Sequence, residues 1–483
     1  MSHEGAYVLY WMTAYRRTHW NFALDRAVEW AERLGKPLVI LEALRCDYAW
    51  ASDRFHRFIM DGMSANRNQL HDGTVTYLPY VEASPGDGRG LLQALGSVAS
   101  AVVTDDFPAF SIPGAAAAAG VKLPVRLEAV DSNGLLPMRE TARTYLTAAS
   151  FRRYLQSRLP ADLGDFPSPA PLLRARIPQH APLPPEIGTR WRMATDALIS
   201  PRANFASLPI DHSVGPAAVA GGSAPAGRAL DAFIANRLQH YNETRNEPSI
   251  DGTSGLSAYL HFGHISVHEI FNRIAAAEEW SPGRLSDSRD GRRAGWWGMR
   301  PPAEAFLDQL VTWRELGFNA AAHNPAHVQY DSLPRWALDT LERHCTDERP
   351  FIYTGEEFAA ARTHDAVWNA AQTQLLKEGR IHNYLRMLWG KKILEWSAHP
   401  RDGLAIMIDV NNRYALDGRD PNSYSGIFWC LGRYDRPWFP ERPIFGTVRY
   451  MSSAAAARKF DLSGYLSKYG RAGNPATALV GAT

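Results

Sequence analysis

Short apolar runs alternate with helical periodicity through the first 130 residues, and beyond residue 189 that alternation is gone. Apolar runs stand at 7–11 (Tyr7-Val8-Leu9-Tyr10-Trp11), 37–41, 74–78, 101–105 and 124–130. Between them the spacing predicts helices over 21–34, 53–70, 88–95 and 114–119, with Gly35-Lys36 closing the first and Pro79 ending the third strand. Strands buried on both faces read as near-continuous apolar runs, and helical crossovers between them impose parallel order. The N-terminal fold class is therefore α/β, a Rossmann-like parallel sheet. Asp105 and Asp131 fall at the C-terminal ends of two strands, where open sheets bind ligands. Such residues serve equally as turn and cap formers.

Prolines crowd the stretch 160–185, which reads as an extended connector able to wrap across a domain surface. Farther on, helical periodicity covers 228–241, 254–262, 266–279, 302–317, 334–344, 357–375 and 379–398. The expected organisation is an α/β domain at 1–159, a connector at 160–188 and a helical domain at 189–483. Two segments, 280–300 and 411–451, are read as irregular and rich in Arg, Gly and aromatics, a composition that borders sites. Hydrophobic residues make up 45% of the chain, enough for two cores. Lys and Arg total 52 against 50 Asp and Glu, so any surface for a polyanion must come from local clustering. Cys46, Cys345 and Cys430 are too scattered for a disulfide framework or a metal-ligand spacing. With no signal-peptide pattern and no membrane-length apolar run, the expectation is a cytoplasmic, monomeric chain without metal.

Three constellations carry chemistry. Thr253, Ser254, Gly255, Leu256 and Ser257, with Tyr241 upstream, run into a helical segment. Hydroxyls and N–H groups at a helix start suit a pyrophosphate, though the same residues make an ordinary cap and turn. In the second, Trp389 and Trp396 lie seven apart on one helical face, Arg386 precedes the first by three, and Trp368 belongs to the preceding helix. Three such indoles form either core packing or a route for single electrons to a buried flavin. The third is the polar run from Asn411 to Asn422, with Asp417 and Asp420, which is too rich for a plain turn if buried.

Taken together with Tyr10-Trp11-Met12, Asp131-Ser132-Asn133, Gly255–Gly263, Thr363-His364-Asp365, Arg386–Trp396, Leu416–Asn422 and Arg449-Tyr450-Met451, the chain resembles the photolyase/cryptochrome family from end to end. Within it the resemblance is to class II cyclobutane pyrimidine dimer photolyases. It implies a helical domain that holds FAD in a folded form and acts on ultraviolet-damaged DNA with the pyrimidine dimer flipped out. Tyr241, Thr253, Ser254, Gly255, Leu256 and Ser257 would line the ribityl-pyrophosphate. Arg386 and Asp417 would lie against the isoalloxazine, Asn411 would face its N5, and Asp420 would lie beside the adenine or ring edge. Trp389, Trp368 and Trp396 resemble the electron-transfer triad of that class, and Trp429 and Trp313 the walls of the dimer pocket. The sheet domain would be the place for an antenna chromophore, whose identity the sequence does not give.

Basic side chains interleave with these aromatics. Arg284, Arg289, Arg292, Arg293 and Arg300 form one set, and Arg433, Arg436, Arg442 and Arg449 a second, as a phosphate rim would require. The sequence departs from the class pattern at Gln309, four residues before Trp313, where the family carries a glutamate thought to steady the dimer radical anion. Glutamine can donate and accept but has no charge. The wall Ala320-Ala321-Ala322-His323 is also less bulky than usual. His323 is read as a loop or core histidine.

Overall fold

The computed structural model describes residues 4–470. Five parallel strands form one sheet in the order β3-β2-β1-β4-β5. They are β1 (Tyr7–Met12), β2 (Leu38–Leu44), β3 (Thr76–Val81), β4 (Ala99–Asp105) and β5 (Leu127–Val130), joined by α1 (Phe22–Leu34), α2 (Asp53–Gln69), α3 (Leu91–Ser97) and α4 (Ile112–Lys122). Leu9 at the centre pairs in register with Val39 on one side and Val102 on the other. Helix α1 begins where the Asn21 side chain accepts from the amides of Ala23 and Leu24, and it ends at left-handed Gly35. The third strand does not stop at Pro79. It is an edge strand whose Pro79 carbonyl accepts from Ala194 on the outer side, so the missing N–H removes no ladder bond.

The order reverses at β1, which makes the ends of β1 and β4 the natural ligand crevice. Here the crevice is filled by the protein itself. Asp105 is fully buried and accepts from Tyr10 Oη (2.7 Å) and the amides of Thr13 (2.8 Å), Ala14 (2.6 Å) and Tyr15 (2.9 Å). Gly263 lies against the same loop at φ +71°, where a Cβ would sit 1.9 Å from the Ala14 carbonyl oxygen. Asp131 likewise accepts from the amides of Asn133 and Met138. Both strand-end carboxylates therefore hold backbone together.

The described residues gather into two compact units, 4–140 with 159–232 and 255–279, and 141–158 with 233–254 and 280–470. The proline-rich stretch packs in the first unit, with Trp191 in its core and the Trp191 indole N–H on the Asp87 carbonyl. The second unit is helical. Its site-bearing helices are Pro301–Leu307, Arg314–His323, Ala366–Glu378, Asn383–Trp396, Pro400–Tyr414 and Pro421–Trp429. The expected helix over 302–317 is interrupted by a π turn at Asp308–Trp313. The segment 411–451 is not irregular throughout, because Asn411–Tyr414 ends one helix and 421–429 forms another. Each of those two helices starts with a cap followed by proline, His399-Pro400 and Asp420-Pro421, the arrangement that favours a first turn. Gly317 lets Arg314–His323 close on Pro421–Trp429, since a Cβ there would meet Ser425 Oγ at 2.7 Å. Among the described residues no helix is long and apolar enough to cross a membrane.

His264 in the first unit is wholly buried against Phe58 and Phe262, accepts at Nδ1 from the Gly222 amide, and faces Gly62 with Nε2. Burial, with Arg16 and Arg17 adding to it, lowers its pKa from 6.5 to about 3. The unfolded chain takes the proton first, so the neutral ring supports the fold fully above the unfolded value. That support drains away as pH falls from 6.5 towards 3. The expected loss at the acid limit is of the order of 5 kcal/mol. Urea unfolding across this range should show it, and His264→Phe should flatten the profile.

Candidate functional site

The second unit brings two of the three sequence constellations onto one cluster. Arg386, one turn into Asn383–Trp396, makes a two-pronged ion pair with Asp417 at 2.9 and 2.7 Å, and its Nη2 also donates to Asn411 Oδ1 at 2.7 Å. Burial alone would pull the Arg386 pKa down, but Asp417 more than offsets it and the net shift is upward. Asn411 is buried, and its amide donates to Ser423 Oγ at 2.8 Å. A second amide hydrogen is left with only a 3.5 Å approach to Asn412 Oδ1. Asn412 is held in turn by Tyr424 Oη and the Arg419 amide. Asp420 caps Pro421–Trp429 through the Asn422 amide at 2.9 Å. The polar run is thus buried, and it fixes three helix ends against one guanidinium.

One turn beyond Arg386 the indoles begin. Trp368 and Trp389 stack with centroids 6.3 Å apart at 6°, and Trp396 meets Trp368 edge-on at 6.3 Å and 67°. All three are buried in one apolar core. The Trp368 N–H donates to the Trp389 carbonyl (3.0 Å), and the Trp389 N–H to Gln372 Oε1 (2.9 Å), whose amide is pinned by the Ala359 carbonyl. Core packing and an ordered indole row are one arrangement here. Beyond Trp396 lie Tyr353 at 5.9 Å and the exposed His364 at 4.8 Å.

Gln309 and Trp313 lie in the π turn, both half-buried, with Asp308, Leu310, Val311 and Thr312 buried around them. A π turn inside an α-helix is uncommon and is concentrated at functional positions. Asp308 anchors it through Arg152 (2.9 Å), which also donates to the Gly291 carbonyl, while Gln156 binds the Gly291 amide and the Arg292 carbonyl. No sequence signal marked Arg152 or Gln156. Trp429 ends Pro421–Trp429 and is half-buried. His323 is the last, half-buried residue of Arg314–His323.

Tyr241 is buried edge-on between Phe233 and Phe306. The helix after Thr253 and Ser254 is shorter than expected, only Ser257–His261, with Gly255 at φ +72° before it. Thr253 and Ser254 close a stretch of the second unit, and Gly255, Leu256 and Ser257 open one of the first. His382 precedes Asn383–Trp396 and is nine-tenths buried. Burial lowers its pKa to about 4, opposed by the backbone of Arg245.

A comparison with protein-family profiles returns no match. Relatives are found among characterised proteins. The chain is 33% identical over 467 residues to the deoxyribodipyrimidine photo-lyase of Methanothermobacter thermautotrophicus, covering 96% of this chain and 95% of that one. It is 33% identical over 479 residues to the protein of the same name from Oryza sativa, covering 96% and 87%. The chain belongs to the photolyase family. Its fold matches a bacterial class III photolyase from Agrobacterium tumefaciens with a TM-score of 0.70 at 17% identity, over 97% of this chain and 87% of that one.

For this photolyase-family chain the arginine rim needs correction. Arg433 is buried, donates to the His327 carbonyl at 2.8 Å and lies 3.8 Å from the Phe428 ring centroid, so it holds the fold. Arg292 pairs with Asp290 at the surface (2.6 Å), and Arg449 is bound by Asp435 at 2.8 and 3.1 Å. Arg284, Arg289, Arg293, Arg300, Arg436 and Arg442 are exposed. Sequence charge gave the density of cations but not which of them face solvent.

Asp417→Asn should break the two-pronged pair and leave the half-buried Arg386 beside a neutral amide. The expected loss is about 1–3 kcal/mol of folding stability in the second unit, read as a lower urea midpoint. An unchanged midpoint refutes the pair as an anchor.

Proposed function

We propose that the chain is a class II type photolyase that repairs cyclobutane pyrimidine dimers in DNA under blue or near-ultraviolet light, acting as a monomer. In this reading the antenna-type domain spans 1–159, the connector 160–188 and the catalytic domain 189–483. The observation that carries it is the stacked pair Trp389–Trp368, with Trp396 against it, starting one turn from the partly buried Arg386–Asp417–Asn411 cluster. Reduced FAD, when bound, supplies the electron that splits the dimer.

The chain's own residues do the rest. Tyr241, Thr253, Ser254, Gly255, Leu256 and Ser257 would hold the cofactor's phosphates and ribityl chain. Arg386 and Asp417 would lie as a fixed dipole against the flavin, and Asn411 would offer it the remaining amide hydrogen. Asp420 orients the turn beside them. Trp389, Trp368 and Trp396 carry electrons inward from the surface side. Trp313 and Trp429 stack on the flipped dimer, Gln309 donates to a pyrimidine carbonyl, and the exposed arginines meet the flanking phosphates.

Purified protein, reduced anaerobically and mixed with an oligonucleotide carrying one thymine dimer, should remove the dimer in light and not in the dark. Trp389→Phe should cut light-driven flavin reduction at least about tenfold while sparing repair by chemically reduced protein. Retained photoreduction refutes the electron route. A second reading, a photolyase-like photoreceptor with little repair, is favoured by Gln309, which lacks the family's carboxyl. Under the repair reading Gln309→Glu should raise the quantum yield of dimer loss. Flavin photoreduction with no dimer loss in either protein decides for the photoreceptor.

A further inference from the structure

Trp429 differs from the other indoles of the second unit in its neighbours. Lys391 is 0% exposed, and its ammonium lies 4.9 Å from the Trp429 ring centroid. The Arg449 guanidinium lies 5.4 Å from the same centroid and 3.9 Å from that of Trp438, which Arg436 approaches at 4.7 Å. Cations and indoles thus alternate from the buried Asn383–Trp396 helix out to the exposed Arg436. Arg449 is neutralised by Asp435. Lys391 is not: it donates to the Cys430 carbonyl at 2.7 Å, and among the described residues no carboxylate pairs with it. The rings of Trp389 and Trp368 have no Lys or Arg over them among the described residues. Trp396 has Lys392 at 5.2 Å, but Glu395 neutralises that ammonium at 2.6 Å.

A cation over an indole stabilises the neutral ring and opposes removal of an electron from it. We propose that Lys391, seconded by Arg449, keeps Trp429 from being oxidised, so that the base-stacking indole cannot compete with Trp389 as electron donor. The inference rests on the photolyase reading above and adds to it a residue that selects the electron's path. In the suppressed step one electron would leave the Trp429 ring for the light-excited oxidised flavin. The indole is oxidised, the flavin is reduced, and no bond forms or breaks. The positive charge left on the ring would face Lys391 across a buried gap. A base stacked on Trp429 would then be in contact with an indole that stays closed-shell.

Two measurements test this, one of them independent of flavin. Brief exposure to photogenerated tris(bipyridyl)ruthenium(III), followed by peptide mass spectrometry, reports oxidation of Trp429 relative to Trp313. Lys391→Met should raise that ratio about tenfold. In FAD-loaded protein, Lys391→Met added to Trp389→Phe should restore light-driven flavin reduction by about tenfold over Trp389→Phe alone. Should the methionine variant fail to fold, the Trp389→Phe protein is followed from about pH 6 to about pH 10. Burial lowers the Lys391 pKa to about 8. The other groups facing it are Cys430, held up at about 11 by burial, Asp435 and Arg449. Flavin photoreduction should therefore rise as Lys391 loses its charge.

An unchanged Trp429 oxidation ratio, or a flat pH profile, overturns the proposal. A raised ratio without recovered photoreduction overturns the routing, because Trp429 then has no access to the flavin. If the unmodified protein shows no light-driven flavin reduction at all, the photolyase reading falls, and the ruthenium ratio still reports separately whether Lys391 protects the ring.

Discussion

Arg386 is a permanent cation set where water is scarce, and much of the helical unit is arranged to meet it. A guanidinium in that position must be neutralised and its donors used, or the fold loses several kcal/mol. Asp417 supplies the charge in two-pronged geometry, and Asn411 takes the remaining donor. Those partners come from the end of Pro400–Tyr414 and the turn after it. One ion pair therefore ties the first turn of Asn383–Trp396 to the turn after Pro400–Tyr414. Asn412, Tyr424, Ser423 and the Asp420 cap extend the same network. The indole row starts from the helix that this network immobilises, so its rings inherit a fixed position.

The sheet unit follows a different economy. Its topology offers the crevice in which open α/β sheets bind nucleotides, and the chain has closed it with Asp105. Three backbone amides and a phenol surround that carboxylate, the treatment an anionic ligand would otherwise receive. Gly263 seals the loop from outside. A sheet of this order is thus no evidence of a dinucleotide, because the groups that would bind one are already satisfied.

What the sequence made legible depended on range. Helix α1 was readable because Asn21 and Gly35 act within a turn of themselves. The five strands were readable because burial on both faces leaves an apolar run. Pro79 misled because its effect depends on which side of an edge strand it faces, a tertiary fact. The segment 411–451 was read as irregular because composition does not show that Asn411 and Asn412 are buried and paired with partners 12 to 25 residues away. Arg433 resembled a phosphate contact for the same reason: local charge carries no information about Phe428 lying beneath it. Lys391 stood inside Arg386–Trp396 without distinction and nothing local marked Gln372, since their roles come from neighbours on other helices.

The π turn at Asp308–Trp313 bears on how any related sequence is read. A turn of this kind adds a residue to the spiral, which rotates everything beyond it by about 100° relative to an unbroken α-helix. A helical wheel drawn straight through 302–317 therefore puts Leu316, seven positions after Gln309, on the half-buried side of Gln309 and Trp313. Leu316 is in fact fully buried. The π turn lets a glutamine and a tryptophan share one side while the leucine that would follow them on an unbroken helix turns inward.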